Sequence, residues 1–271
     1  MTDRLKNKVA IVFGAGYAEQ GWTNGAAAAV AFAREGARIV AVDISADAAR
    51  RVVEAIRGEG GEAIDVVADV TSYDQVSAAV AKGIETYGRL DVLHNNVALN
   101  SPGGPVEMDE EMWDRIMTIN IKSVFLTCKA AIPAFIKNGG GSIINISSIA
   151  GVTYYGRPTI AYASSKAAMN HFTRAIAAQH GPDNIRCNAI VPGLIDTPRS
   201  YKQLHAVWKG DVEGMRRDRS KSVPLRRLGS PWDVAHAAVY FASDESAYVT
   251  GVVMAVDGGL TCASPNSVPS N

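Results

Sequence analysis

Tyr162 and Lys166 stand four residues apart in AYASSKAAM, a spacing that puts both side chains on one face of a helix. A phenol titrates near ~10 and is a poor base at neutral pH, but a neighbouring ammonium favours the phenolate. Bringing the phenol toward ~7 would take about 4 kcal/mol. So placed, Tyr162 is a candidate general base for an alcohol proton. Ser148 ends the run INISS, fourteen residues earlier. Open α/β sheets bind ligands at such strand ends, and a hydroxyl there can steady a substrate oxygen. Asn120, in MTIN, falls inside a long helical pattern. It is either a tolerated interior amide or a polar group holding a water beside Lys166.

A second set of residues suits a dinucleotide. The first apolar run ends in FGAGYAEQGWTNG and leads into an alanine-rich helical pattern. Glycines at a strand-to-helix turn let the backbone approach a pyrophosphate, whose charge the helix N-terminus favours. Gly14, Gly16 and Gly25 are the candidates, with Thr23 and Asn24 at the helix start. Gly14 and Gly25 are eleven apart, more than a compact loop requires. The second run ends in IVAVD. Asp43 there can accept both adenosine ribose hydroxyls and would repel a 2′-phosphate. It argues for NAD(H) over NADP(H), and Ile44 supplies no basic replacement. The plainer reading of Asp43 is a helix cap. Asp69, followed by Val70 in VADVTS, either sits beside the adenine or caps a helix.

These residues need a frame that alternates strand and helix. Short apolar runs are strand candidates at 9–13, 38–43, 62–67, 91–95, 142–147, 185–191 and 253–257. Helical patterns cover 25–35, 46–58, 72–87, 111–138, 161–180 and 231–243. Several strands are apolar throughout, as strands buried on both faces should be. The expected fold is α/β: a doubly wound, mostly parallel seven-stranded sheet with helices on both faces, as one domain over 1–271. Residues 196–222 break the rhythm. Polar overall, they carry Leu204, Val207 and Trp208 at helical spacing, which predicts a mobile lid whose apolar face meets the substrate. Tyr155 and Val97 would complete that pocket. Residues 260–271 read as a short tail.

Together, in this order and at these intervals, the motifs resemble the short-chain dehydrogenase/reductase family over nearly the whole chain, Lys8 to Gly259. The markers are the glycine loop, ADV at 68–70, HNNVA at 94–98, MTIN at 117–120, ISS at 146–148, YASSK at 162–166, NAIVPGLIDTP at 188–198 and VDGG at 256–259. The resemblance implies an Asn–Ser–Tyr–Lys tetrad at Asn120, Ser148, Tyr162 and Lys166, with Lys166 on the nicotinamide ribose. It implies that Asn95, Asn96 and Val97 line the cofactor. It places Pro192, Gly193, Ile195 and Thr197 at the nicotinamide end. It also implies a homo-oligomer, a tetramer before a dimer, paired through the helices near Met117–Ile136 and Tyr162. Two departures stand out. Phe13 replaces the family's loop threonine in a loop about five residues longer, and HNNVA replaces the usual N-N-A-G.

The expected activity is interconversion of a secondary alcohol and a ketone with NAD(H), on a largely apolar and ring-containing substrate. The alternatives are a 3-oxoacyl-thioester reductase, a dihydrodiol dehydrogenase and, remotely, a non-catalytic cofactor-binding scaffold. Lys plus Arg equals Asp plus Glu at 27 each, which argues against a nucleic-acid or membrane-surface partner. The five histidines lack metal-ligand spacing, so no metal is expected. His94 reads as structural, and His205 falls on the lid. The three scattered cysteines fit reduced thiols and a cytoplasmic protein. No run of 18 apolar residues and no signal-like N-terminus is present.

Overall fold

The computed structural model describes residues 3–19, 21–201 and 208–263. Its strands are β1 (Val9–Phe13), β2 (Arg38–Asp43), β3 (Ala63–Val67), β4 (Val92–Asn95), β5 (Gly141–Ile146), β6 (Ile185–Pro192) and β7 (Val253–Val256). They form one seven-stranded parallel sheet in the order β3-β2-β1-β4-β5-β6-β7. The chain winds outward from β1 to β3, then returns to add β4 beside β1. That reversal opens a crevice at the strand C-termini, where such sheets bind ligands. The expected fold is therefore the observed one.

The helices are α1 (Asn24–Arg34), α2 (Ala46–Gly58), α3 (Tyr73–Tyr87), α4 (Glu110–Met117), α5 (Ser123–Lys137), α6 (Ile160–His180), α7 (Val212–Lys221) and α8 (Pro231–Ala242). Alternation along each strand feeds two cores. Ala10 and Val12 of β1 face α1, α2 and α8, whereas Val9, Ile11 and Phe13 face α3, α5 and α6. Thr23, Ser45 and Asp109 cap α1, α2 and α4 through their side chains. Ser230 and Asp233 form a reciprocal capping box on α8. The single helix expected over 111–138 holds a π turn at Thr118–Lys122 between α4 and α5. By length and composition Glu110–Lys137 could cross a bilayer. Here α5 packs on α3, β4 and β5 inside the domain.

A chain of buried polar side chains crosses the second core. Thr127 on α5 donates to Asn95 Oδ1 at 2.8 Å. Asn95 donates to Asn145 Oδ1 at 2.9 Å, and Asn145 donates to Thr173 Oγ1 on α6 at 2.9 Å. The Thr173 hydroxyl donates in turn to the Met169 carbonyl. Every member thus finds a partner, as buried polar groups must. Asn95 spends its amide here and lines neither cleft described below, contrary to its expected cofactor contact.

His94 is unpartnered in the core. It is fully buried on β4, edge-on to Phe32 of α1 at 5.7 Å, and neither ring nitrogen has a hydrogen-bond partner. Burial pushes it from 6.5 down to about 4, so the folded state holds it neutral. Between those values the unfolded chain binds a proton that the folded one does not, so stability falls as the pH drops from 6.5 toward 4. The contribution is at most roughly 3 kcal/mol. We predict that His94→Val flattens this acid limb, measured as the urea midpoint against pH. An unchanged slope would remove His94 as its cause.

Candidate active site

α6 carries Tyr162 and Lys166 one turn apart, and both face the crevice. The Lys166 ammonium nitrogen lies 5.7 Å from the Tyr162 ring centroid. Lys166 is 1% exposed and donates to the Ile146 carbonyl at the end of β5, at 2.7 Å. Ser148 follows that strand, and its hydroxyl is near enough to favour the Tyr162 phenolate. Its oxygen also accepts from the Ala150 amide at 3.2 Å. A glycine makes this approach possible. A Cβ on Gly151 would lie 2.7 Å from the Lys166 carbonyl carbon. Ser147 Oγ donates to the Lys166 carbonyl and Asn170 donates to the Gly151 carbonyl, tying the turn to the helix. Three residues from two distant motifs thus converge.

Their electrostatics differ from the sequence expectation. Burial raises the Tyr162 phenol above its usual range, while Arg199 and the Ser148 hydroxyl oppose this. Burial, then Arg199, lowers Lys166 to about 7. A dry site penalises both charged forms, so the phenol keeps its proton and the ammonium is easily lost. Lys166 is not what tunes Tyr162 here. The residue with that reach is Arg199, which sequence reasoning did not single out.

Asn120 sits in the π turn and is fully buried. Its Oδ1 accepts from the Leu99 amide at 2.7 Å, and its Nδ2 donates to the Leu99 carbonyl and Ser165 Oγ at 2.9 Å each. Ser165 in turn donates to the Tyr162 carbonyl. The amide therefore bolts the segment after β4 to α6. Both its donors are committed to that task, and none of its hydrogen bonds reaches Lys166.

The phosphate loop is shaped as the glycines predict. Gly14 has φ +78°. A Cβ on Gly25 would collide with the Gly14 carbonyl oxygen and lie 2.6 Å from the Asn96 amide nitrogen. Only bare backbone fits that contact. Thr23 caps α1 and donates to the Gly16 carbonyl at 2.8 Å. The first turn of α1 has no acidic residue, whereas α2, α3, α4 and α8 each carry at least one. Its positive end is left for an anion. Asp43 Oδ2 accepts from the Gly16 amide at 2.9 Å and Oδ1 accepts from the Ser45 amide at 3.0 Å. Ser45, not Asp43, caps α2.

The extra loop residues pack onto α8. Tyr17 lies 4.5 Å from Trp22, Trp22 lies 5.1 Å from Trp232, and the Arg34 guanidinium covers Trp232 at 4.7 Å. The sequence showed the insertion but gave no partner for it.

Two clefts meet at Asn96. One, about 400 Å³, is lined by Gly14, Gly16, Thr23, Asn24, Asp43, Ile44, Asp69, Val70, Asn96 and Val97. It suits an adenosine diphosphate. Asp69 also holds the amide and hydroxyl of Thr71. The other, about 600 Å³, lies over Ser148, Tyr162 and Lys166 and includes Tyr155, Pro192, Gly193, Ile195 and Thr197. Thr197 also lines the first cleft. Val97 belongs to the first cleft only, not to the substrate end as expected. Trp208 is half-buried but lines neither cleft. Leu204, His205 and Val207 lie outside the described residues.

The second half of the expected lid is the helix α7. It buries Met215, and Val223 just beyond it is also buried, each 2% exposed. Arg216 on α7 bonds Asp196 at 3.0 Å and also bonds Tyr201, whose hydroxyl donates to Asp196. These contacts dock α7 beside the second cleft. Asn100, Arg157, Arg199 and Arg219 also line the second cleft, and none was singled out in the sequence.

Comparison with known proteins adds an independent line. A family model described as Enoyl-(Acyl carrier protein) reductase matches residues 21–261. The 3-oxoacyl-[acyl-carrier-protein] reductase FabG of Thermotoga maritima is 38% identical over 258 residues, covering 95% of this chain and 99% of that protein. The 2,5-dichloro-2,5-cyclohexadiene-1,4-diol dehydrogenase LinX of Sphingobium indicum is 37% identical, covering 96% and 98%. The 7alpha-hydroxysteroid dehydrogenase of Clostridium sardiniense is 38% identical, covering 97% and 96%. A crystal structure of a putative short-chain dehydrogenase/reductase from Burkholderia xenovorans superposes with a TM-score of 0.91 at 40% identity, covering 96% of this chain and 99% of that one.

Proposed function

The chain belongs to the short-chain dehydrogenase/reductase family, and from that premise we propose that Tyr162, Ser148 and Lys166 carry an NAD(H)-linked interconversion of a secondary alcohol and a ketone. The observation behind this is the convergence of the Tyr162 phenol, the Ser148 hydroxyl and the Lys166 ammonium at one end of a dinucleotide-shaped crevice. When bound, the nicotinamide exchanges a hydride with the carbinol carbon. Ser148 hydrogen-bonds the substrate oxygen. Tyr162, kept protonated by burial, donates its proton to that oxygen during ketone reduction. In the reverse direction the phenolate takes the alcohol proton. Arg199 holds the phenol's surroundings positive, and Lys166 binds the nicotinamide ribose. Asn120 is a positioning residue, acting through Leu99 and Ser165.

Gly14, Gly16, Asn24 and Gly25 are the proposed pyrophosphate cradle, with Asp43 on the adenosine ribose. A carboxylate there disfavours a 2′-phosphate, so NAD(H) is the proposed cofactor. Pro192, Gly193, Ile195 and Thr197 form the nicotinamide end. Similarity to FabG favours a second reading, reduction of a 3-oxoacyl thioester. Similarity to LinX favours oxidation of a cyclic diol. A substrate panel separates the three. We also propose a homo-oligomer, a tetramer before a dimer, in the cytoplasm. Phe125 and Ile136, each 49% exposed on the outer side of α5, support pairing through that helix. A monomeric mass by light scattering would end that proposal.

Tyr162→Phe is predicted to fold and bind NADH while losing at least ~100-fold in kcat. Near-normal turnover would remove Tyr162 as the proton carrier. The wild type is predicted to prefer NAD(H) by kcat/KM, and Asp43→Ala to narrow that preference. Equal use of NADPH by the wild type would overturn the role given to Asp43.

A further inference from the structure

The cleft over Tyr162 carries positive charge that nothing in it answers. Arg157, Arg199 and Arg219 join Lys166 on its walls, and no Asp or Glu lines it among the described residues. Two of these arginines are at ease. Arg157 and Arg199 are exposed to water, and Arg199 donates to the Ala98 carbonyl at 3.0 Å. Arg219, on the anchored helix α7, is different. Its Nε and Nη1 are closed off from solvent and have no hydrogen-bond partner. The carboxylate that acts on it, Asp196, is already engaged, one oxygen by Tyr201 and the other by Arg216. An arginine cannot shed its charge near neutral pH, and burying it unpaired is costly. Burial and the neighbouring Arg157 both push its guanidinium down, the direction expected of a cation lacking a counter-ion.

The dinucleotide does not account for this cation. The cleft assigned to the adenosine half includes Arg199 but neither Arg157 nor Arg219. Arg199 is also the arginine whose field reaches Tyr162 and Lys166. Arg219 instead responds to Arg157 and Tyr155. The unanswered charge therefore lies to one side of the reacting groups, inside the substrate cleft. The Thr159 hydroxyl and the Asn100 side-chain oxygen line the same cleft, equally buried and equally without partners.

We propose that the substrate bears a carboxylate, bound by Arg219 with Arg157 beside it, so that the enzyme acts on a hydroxy acid and its keto acid. This deepens the dehydrogenase reading and rests on it. The apolar body expected of the substrate is kept, with one anionic end added. A guanidinium holds planar carboxylates through paired charge-assisted hydrogen bonds. Sulfonates share the anionic chemistry and enter as an arm of the test.

The probes are para-acetylbenzoate, its methyl ester and para-acetylbenzenesulfonate, with shorter and longer keto acids paired with their esters. Binding to the NADH-loaded protein is read by calorimetry, and turnover by loss of NADH absorbance. The expected result is that acids bind about tenfold to hundredfold more tightly than their esters, as a charge-assisted pair in a dry site should. Arg219→Gln is expected to collapse that ratio toward one through KM for the acid, whereas Arg219→Lys keeps part of it. Equal binding of acids and esters to the wild type across the series overturns the proposal, and that comparison needs no variant. Undiminished acid preference in a folded Arg219→Gln overturns it too. Tighter binding of the sulfonate than of any acid replaces carboxylate by sulfonate and overturns the hydroxy-acid assignment. Should acids bind selectively while no ketone is ever reduced, the anion site stands and the dehydrogenase reading falls.

Discussion

The geometry of the site depends on a line of four buried side chains, Thr127, Asn95, Asn145 and Thr173. It runs from α5 through the two central strands to α6. An unpaired amide in that core would cost about 1–3 kcal/mol, so the line tolerates few other arrangements. It sets the position of α6 relative to β5, and hence Lys166 relative to the Ile146 carbonyl and Ser148. Gly151 then permits the final approach between the turn and the helix. The proposed reacting groups Tyr162 and Lys166 sit at the end of this packed stack.

A second constraint acts at the other end of the crevice. There the backbone of Gly14 meets Gly25 with no room for a side chain. The inserted residues do not loosen this turn, because the Tyr17, Trp22 and Trp232 rings pack them against α8 under Arg34. The insertion is an added buttress on a loop whose inner edge is fixed by Asp43 and Thr23.

Much of this was legible in the sequence, and the reason is periodicity. Strands buried on both faces leave unbroken apolar runs, so β1 and β2 fall where the runs do. Tyr162, Lys166 and Ser148 were legible because helical spacing and strand ends are local properties. What was missed is what depends on distance through space. Asn95 looked like a cofactor residue, but its side chain turns into the core to meet Asn145, whose own polar role nothing in INISS announces. Arg157, Arg199 and Arg219 lie on three separate segments, and only the folded chain brings them to one cleft. Low hydrophobicity over 212–221 gave no sign of the helix α7 there. One buried residue, Met215, and the ion pairs of Arg216 suffice to dock a polar helix.

Asp43 has a second duty that bears on how this enzyme can change over generations. The carboxylate proposed to face the ribose also holds the Gly16 amide and the Ser45 amide. Any drift toward a phosphorylated nucleotide must give up the fastening of the glycine loop along with the old selectivity. Losing that carboxylate would loosen the loop for either nucleotide even as it relaxed the proposed selectivity.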